Sequence, residues 1–221
     1  MKKIYSFILF CFLSGTVFAQ HVLDYESRNF VPVWYIGANI GTNLYLAEGN
    51  DFLSGEDGAK FSLKDNSGTT VRAVFGRKLT PVFGLRTFIG FNKYNWLSTY
   101  INHPVVSFTS ESITADITVS LVNLLEDAYT RKKFDFLIFA GTGYQVRNKI
   151  NSTASTIPSS NSSSTPIGRF GLEGDFSLSN RLNLSLGGEL NYVNDRNNGL
   201  VAGKNYEVIP TFSAGLNYQL K

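Results

Sequence analysis

The chain has 221 residues, of which 43% are hydrophobic, 17% charged and 14% aromatic, and this length is typical of a single domain. Its formal net charge of +3 is too small to provide an electrostatic footprint for nucleic acid. The single cysteine, Cys11, lies in a segment that we expect to be removed, which excludes disulfides from the mature fold.

The first residues have the pattern of a secretory signal peptide, which we assign to residues 1–19. Lys2 and Lys3 supply the positive start, an apolar stretch follows over residues 4–13, and Ala19 ends a small-residue cleavage motif. The apolar stretch is too short for a membrane-spanning helix. We therefore expect export through the inner membrane, with residues 20–32 forming a short periplasmic lead before a single domain over residues 33–221.

Eight segments of the remaining chain alternate apolar and polar residues with the period of two that indicates a half-buried β-strand. The predicted strands cover residues 33–46, 69–79, 82–91, 113–125, 134–146, 166–178, 182–192 and 206–220. The connections between them are alternately long and short, and the second long one covers about residues 94–112. A hairpin of three residues, 179–181, keeps the apolar faces of its two strands on one side.

The apolar faces of these strands carry almost no charge. Arg77 is the exception, near a strand end, whereas the opposite faces carry many charged residues. A basic side chain at the middle of a bilayer costs about 2–4 kcal/mol, which explains this distribution if the apolar face meets lipid. Aromatic residues also gather near the strand ends, as at membrane interfaces. The alternative is a lipocalin-like soluble barrel with its apolar face inside.

The last strand ends in a recognisable motif. A polar residue and a glycine precede two hydrophobic residues spaced by two, and Lys221 trails behind; the four positions are Ser213, Gly215, Tyr218 and Leu220. This ending resembles the C-terminal signal of bacterial outer-membrane barrels, and the whole mature chain resembles the small OmpA/OmpX-like, porin-family barrels. The resemblance implies an eight-stranded antiparallel up-and-down transmembrane β-barrel in the outer membrane of a Gram-negative cell. It also implies assembly by the barrel-assembly machinery through those four residues.

The interior of an eight-stranded barrel is just filled by its own side chains. Charged residues enclosed there need partners, because an unpaired buried charge is prohibitively costly. We therefore predict a lumenal ion-pair network that plugs the barrel and has a structural role. Its predicted members are Arg72, Arg86, Asp116, Arg169, Glu173, Asp175, Glu189 and Glu207. A proton or ion path through the same groups is the functional alternative.

Catalysis and metal binding have little support. Beyond His21 in the lead, the mature chain has only His103, which with Ser107 and Glu111 offers the ingredients of a Ser/His/acid site without a matching spacing. The acidic residues Asp51, Glu56 and Asp57 could hold calcium, but their spacing fits no EF-hand. We predict no catalytic residue, no metal and no cofactor.

The predicted function is a non-enzymatic outer-membrane barrel whose surface loops have structural, adhesion or binding roles. Apolar residues in the first two long loops are the clearest sign of an extracellular partner, or of a barrel prolonged above the membrane; they are Phe52, Leu53, Phe61, Trp96 and Tyr100. Two other functions stay open. One is a subunit of an envelope secretion machine, similar to PorT-like barrels, and the other is a narrow pore.

Overall fold

A computed structural model describes residues 30–45, 66–97, 105–125, 133–148, 162–194 and 206–220. These residues form eight strands and one short helix: β1 Val33–Leu44, β2 Ser67–Lys78, β3 Phe83–Leu97, β4 Val105–Ser120, α1 Leu121–Leu125, β5 Phe134–Arg147, β6 Ser163–Ser177, β7 Leu182–Asn194 and β8 Tyr206–Gln219. The predicted signal peptide and most of the predicted lead lie outside the described residues. Within the described ranges, no helix has the length and apolar character needed to cross a membrane.

The eight strands form one closed barrel. Each strand pairs antiparallel with the next in the chain, and β1 pairs antiparallel with β8. The predicted fold class, an all-β, eight-stranded, antiparallel up-and-down barrel, is therefore confirmed. Closure leaves no free sheet edge around the barrel wall, which removes the template on which open sheets aggregate.

The closing pair of strands depends on a glycine. Gly215 of β8 lies opposite Asn39 of β1, and a Cβ atom added there would be 2.2 Å from the Asn39 Oδ1 and 2.8 Å from the Ala38 carbonyl oxygen. No larger residue fits that approach without moving the backbone. The pairing continues past the end of β8, where the Leu220 backbone N–H donates to the Trp34 carbonyl oxygen at 2.8 Å.

The two faces of the sheet differ sharply in chemistry. Large aliphatic side chains project outward and are exposed, with Ile40 at 62%, Ile89 at 65% and Ile117 at 58%. The inward positions between them hold buried polar and charged side chains, such as Asn39, Arg86 and Asp116. The predicted direction of each strand's apolar face holds in all eight strands. The barrel is thus inverted relative to a water-soluble container.

The barrel has two unlike ends. At the turn end, residues 79–82 join β2 to β3, residues 178–181 join β6 to β7, and α1 follows β4. At the loop end lie the connections β1–β2, β3–β4, β5–β6 and β7–β8, whose central residues lie outside the described ranges. The β6–β7 turn closes with Leu178 N–H donating to the Leu182 carbonyl oxygen at 2.8 Å.

The prediction of a long connection over residues 94–112 is wrong. Strand β3 continues to Leu97 and β4 begins at Val105, with Tyr94 directly opposite Phe108. The polarity of the two faces inverts here, because Lys93 and Thr109 project outward while Tyr94 and Phe108 are buried inside. The alternation of outward apolar and inward polar residues therefore stops before the two strands do, and this part of β3 and β4 was predicted as a connection.

The predicted fourth strand also ends earlier than expected. Residues 121–125, predicted as strand, form the helix α1. Ser120 caps this helix, since its hydroxyl oxygen accepts a hydrogen bond from the Asn123 backbone N–H at 3.1 Å. The Asn123 side-chain amide donates to the Pro81 carbonyl oxygen at 3.1 Å, which ties α1 to the β2–β3 turn.

Candidate functional site

The barrel interior contains a continuous chain of six charged side chains in which arginines and carboxylates alternate. Arg72 Nη1 lies 2.7 Å from Glu189 Oε1, and Arg169 contacts the second oxygen of the same carboxylate. Arg169 Nε lies 3.6 Å from Asp116 Oδ1. Arg86 completes the chain, with its Nε 3.1 Å from Asp116 Oδ2 and its Nη1 2.9 Å from Glu173 Oε2. We call these six residues the lumenal network.

Strand register explains the short-range contacts of the network. Arg86 of β3 lies directly opposite Asp116 of β4, and Glu189 of β7 is diagonal to Arg169 of β6. Such neighbours on one face of a sheet are within reach of long side chains. The Arg169–Asp116 contact spans β5 at Gly141, which lies opposite both residues. The two other contacts cross the lumen, from Arg72 on β2 to Glu189 on β7 and from Arg86 on β3 to Glu173 on β6. The network therefore braces opposite walls of the barrel.

Two phenylalanine rings complete this layer. Three guanidinium groups surround the Phe88 ring, with the Cζ atoms of Arg72, Arg86 and Arg169 at 5.1, 4.8 and 4.5 Å from its centroid. Arg86 also lies 4.3 Å from the centroid of Phe139. Cations are attracted to an aromatic face, and the attraction is larger away from water. The two rings thus fill space inside the lumen and at the same time attract the guanidinium groups beside them.

The six charged side chains of this layer have no net charge and are almost fully buried. Three arginines balance three carboxylates, and each of the six side chains is at most 8% exposed. Two polar side chains add hydrogen bonds to these charges: Thr114 accepts from Arg169 Nη1 at 2.7 Å, and Asn191 donates to Glu189 at 2.9 Å. Ion pairs in such an interior stabilise only when they are complete, since removing one partner leaves an uncompensated charge.

An apolar cluster lies in the lumen toward the loop end. Its buried members are Tyr45, Tyr94, Phe108, Ile167, Val193 and Ile209. The rings of Tyr45 and Phe108 meet edge to face at 5.5 Å between centroids. The Tyr45 hydroxyl bonds the carboxylate of Glu207, and the Tyr94 hydroxyl donates to Gln145 at 3.2 Å. We call this group the outer cap, and it covers the lumenal network from the loop side.

The turn end of the lumen contains a small polar cavity. Lys78, Asp135 and Asp175 contribute to its lining, and its volume of about 20 Å³ is enough for about one water molecule. Asp135 lies directly opposite Asp175 and accepts a hydrogen bond from the Ser120 hydroxyl at 2.6 Å.

The structure brings six of the eight predicted lumenal residues together as the lumenal network. The two others face the lumen at different depths. Asp175 lines the cavity at the turn end and makes no ion pair with another described residue. Glu207 lies at the loop end, opposite Val193 of the outer cap, and its carboxylate accepts a hydrogen bond from the Tyr45 hydroxyl. Sequence reasoning missed the roles of Phe88 and Phe139, although both fall on the inward parity of their strands.

The ingredients considered for catalysis do not form a site in the described residues. Ser107 and Glu111 both face outward on β4, but four strand residues separate them by roughly 13 Å. The Ser107 hydroxyl donates to Asn95 Oδ1 at 2.7 Å. The two histidines, the three acidic residues of the first loop and the apolar loop residues Phe52, Leu53, Phe61 and Tyr100 lie outside the described ranges. Within those ranges, no group of three metal-ligating side chains occurs.

Comparison with solved structures identifies the fold. Neisserial surface protein A has a TM-score of 0.54 and 16% identity, over 85% of this chain and 97% of that one. Ail, the attachment invasion locus protein of Yersinia pestis, has a TM-score of 0.47 and 13% identity, over 86% and 97% of the two chains. A major outer membrane protein from Thermus thermophilus has a TM-score of 0.48 and 10% identity, over 86% of this chain and 100% of that one.

Sequence comparison adds no closer relative. No family model matches the chain, and no curated protein matches it. The resemblance to small outer-membrane barrels that the sequence indicated is confirmed by the likeness to Neisserial surface protein A, at the level of the fold.

Proposed function

We propose that this chain, which has the fold of the small eight-stranded outer-membrane barrels, is a non-enzymatic integral protein of the outer membrane that presents its loops outside the cell. The observation that carries the proposal is the inverted polarity of the barrel wall. Ile40, Ile89 and Ile117 are more than half exposed, while Arg86 and Asp116 are at most 4% exposed inside. In water the exposed apolar wall is unfavourable, whereas in hydrocarbon it is favourable, and the charged side chains are kept away from the lipid inside the barrel.

The closed lumen supports a structural, adhesion or binding role for this barrel over a narrow pore. The outer cap fills the lumen toward the loop end, and the lumenal network together with the rings of Phe88 and Phe139 fills the layer below it. An ion that passed through would have to break charge pairs that are buried on all sides. The site that meets other molecules is therefore expected on the loops and not in the lumen.

We expect the purified protein to require detergent and to show a heat-dependent shift on a denaturing gel, because the strands are fully hydrogen-bonded only in the closed barrel. In planar bilayers we expect no steady ionic current at neutral pH. The need for detergent and the gel shift test the membrane location, and the bilayer current tests the closed lumen.

Monodisperse behaviour in plain buffer without detergent would contradict the membrane location. A steady current would contradict the closed lumen and favour the pore. Co-purification of the detergent-solubilised protein with a stoichiometric envelope complex would favour a subunit of a secretion machine. Each result thus selects one of the functions that the sequence left open.

We further propose that the barrel-assembly machinery recognises the end of β8, through Ser213, Gly215, Tyr218 and Leu220. Tyr218 faces outward and is 43% exposed, so its ring is available to a partner before the barrel closes. Tyr206, at the opposite end of the same strand, also faces outward and is 54% exposed. The two tyrosines differ in position along β8 but not in residue type or face.

A Tyr218→Ser variant is expected to fold more slowly in the presence of purified assembly machinery, because one of the two hydrophobic positions of the motif is lost. Its unassisted folding in detergent should stay close to that of the Tyr206→Ser variant, which serves as the matched control. The measurement is the rate at which the heat-modifiable band appears. Equal rates of assisted folding for the two variants would argue against recognition through this motif.

A further inference from the structure

One arginine lies on the face of the barrel that meets lipid. Among the described strand residues that face outward, only Arg77, Lys93 and Glu111 are charged, and the latter two lie toward the loop end. Arg77 lies near the turn end, one residue before the end of β2. No carboxylate of the described residues is paired with it. Its positive charge thus has no counterion among the described residues and is available to an anion of another molecule.

The Arg77 side chain is held in place by aromatic rings. Arg77 lies opposite Trp34 of β1, and its Cζ atom is 4.8 Å from the centroid of the indole. The indole is stacked on Phe75 at 4.9 Å with an interplanar angle of 20°. The Arg77 Nε is buried beneath these rings and makes no hydrogen bond. This fixed position reduces the entropy that the side chain would lose on binding an anion.

A groove of about 430 Å³ begins beside this arginine on the outer wall. Small outward residues, Thr87 and Ala115, lie opposite each other on β3 and β4 and form its floor. Larger apolar residues line it, namely Trp34, Phe75, Leu79, Leu85 and Ile117. A cation at the mouth of an apolar groove matches a molecule with an anionic head and a hydrocarbon tail.

We propose that Arg77 and this groove form a binding site for one glycerophospholipid of the periplasmic leaflet. The Arg77 guanidinium binds the lipid phosphate, and one acyl chain lies along Thr87 and Ala115. Guanidinium groups bind phosphate with charge-assisted hydrogen bonds, and membrane interfaces place phosphates at the level of rim aromatics. The inference rests on the proposed function, because it places the turn end at the periplasmic leaflet.

The test is native mass spectrometry of the detergent-purified full chain with dioleoylphosphatidylglycerol, dioleoylphosphatidylethanolamine or diolein, which lacks the phosphate. We expect one molecule of either phospholipid to be retained and diolein to be lost. Arg77→Gln should weaken phospholipid retention by about fivefold, the effect of one basic residue at a membrane surface. Arg77→Lys should be intermediate, because it keeps the charge but not the planar donors. Millimolar inorganic phosphate should not displace the lipid.

Arg181→Gln is the matched control. Arg181 is an exposed arginine at the same end of the barrel, and its Nη1 lies 3.4 Å from the Tyr218 hydroxyl. We expect this variant to retain lipid like the unmodified chain. Equal retention by Arg77→Gln, an equal loss in Arg181→Gln, or equal retention of diolein would overturn the proposal. The heat-dependent gel shift of every variant reports separately on the membrane barrel, so a failure of the lipid site and a failure of the proposed function are distinguishable.

Discussion

Replacing Glu189 with Gln is expected to lower the free energy of unfolding by about 3–5 kcal/mol. Glu189 is the carboxylate that contacts both Arg72 and Arg169, and its removal leaves the neutral lumenal network with one uncompensated positive charge. Glutamine keeps the shape of the side chain, so the loss reports on charge and not on a cavity. The measurement is urea-induced unfolding in lipid vesicles, followed by tryptophan fluorescence.

Glu111→Gln provides the control for this variant, because Glu111 is an exposed glutamate on the outer face of β4. The same chemical change there should alter the unfolding free energy by less than about 1 kcal/mol. The double variant Arg72→Gln/Glu189→Gln restores a neutral interior. Its loss should be smaller than the sum of the two single losses by about 1–3 kcal/mol. Strict additivity would show that the six residues do not act as one network.

The Phe88→Ala variant is expected to lose about 3–5 kcal/mol of unfolding free energy. Phe88 is 2% exposed, and its ring lies within 5.1 Å of three arginine Cζ atoms, so truncation opens a cavity and removes three cation–π contacts. Urea-induced unfolding in vesicles again measures the loss. Phe88→Leu separates the two causes, since leucine fills much of the volume but offers no aromatic face.

Ile89→Ala is the matched control for Phe88→Ala. Ile89 is the next residue of β3, but it faces outward and is 65% exposed. Lipid chains can fill the space that the truncation leaves, so no cavity remains and the loss should be clearly smaller. Equal losses for the two variants would contradict the assignment of inner and outer faces on which the proposed function depends.

The inward and outward faces of the strands could be predicted because the alternation of apolar residues and the positions of the charged residues indicate the same assignment. Arg86 and Ile89 fall on opposite parities of β3, and only one of these parities tolerates charge next to lipid. The inward position of all eight predicted lumenal residues follows from the same rule. Six of these residues form the lumenal network, whereas Asp175 and Glu207 lie at other depths along the barrel axis. The parity of a position in its strand indicates the face of the sheet but not this depth.

Only one pair of the lumenal network could be derived from the sequence: the three-residue hairpin places Arg169 diagonal to Glu189, and the two are in contact. The other partners could not be derived. Arg72 and Glu189 meet across the lumen from β2 and β7, so their contact depends on the closure of the barrel and the register of every strand between them. The contact of Arg86 with Asp116 depends on the register of β3 and β4. Residues 98–104 join these strands, and a connection of this length does not fix register as a turn of two or three residues does.

The tip of the β3–β4 hairpin was not predicted, for a different reason. The tip has polar residues outside and aromatic residues inside, which is the polarity of a water-soluble sheet. Lys93 and Thr109 face outward there, and Tyr94 and Phe108 join the outer cap. The expectation that apolar residues face outward, which located the other strands, therefore excluded the tip of this hairpin.

This tip extends the described part of the β3–β4 hairpin beyond the neighbouring strand β2. Beyond Lys93, the last residue of β3 that pairs with β2, the strand continues to Leu97, an added length of roughly 13 Å. The headgroup layer on one side of a bilayer is only about 5–8 Å thick. The paired strands between Lys93 and Leu97 are therefore longer than one headgroup layer is thick. If Lys93 lies at the hydrocarbon boundary of the proposed outer-membrane barrel, the backbone at Leu97 and Val105 lies in the water beyond the lipid.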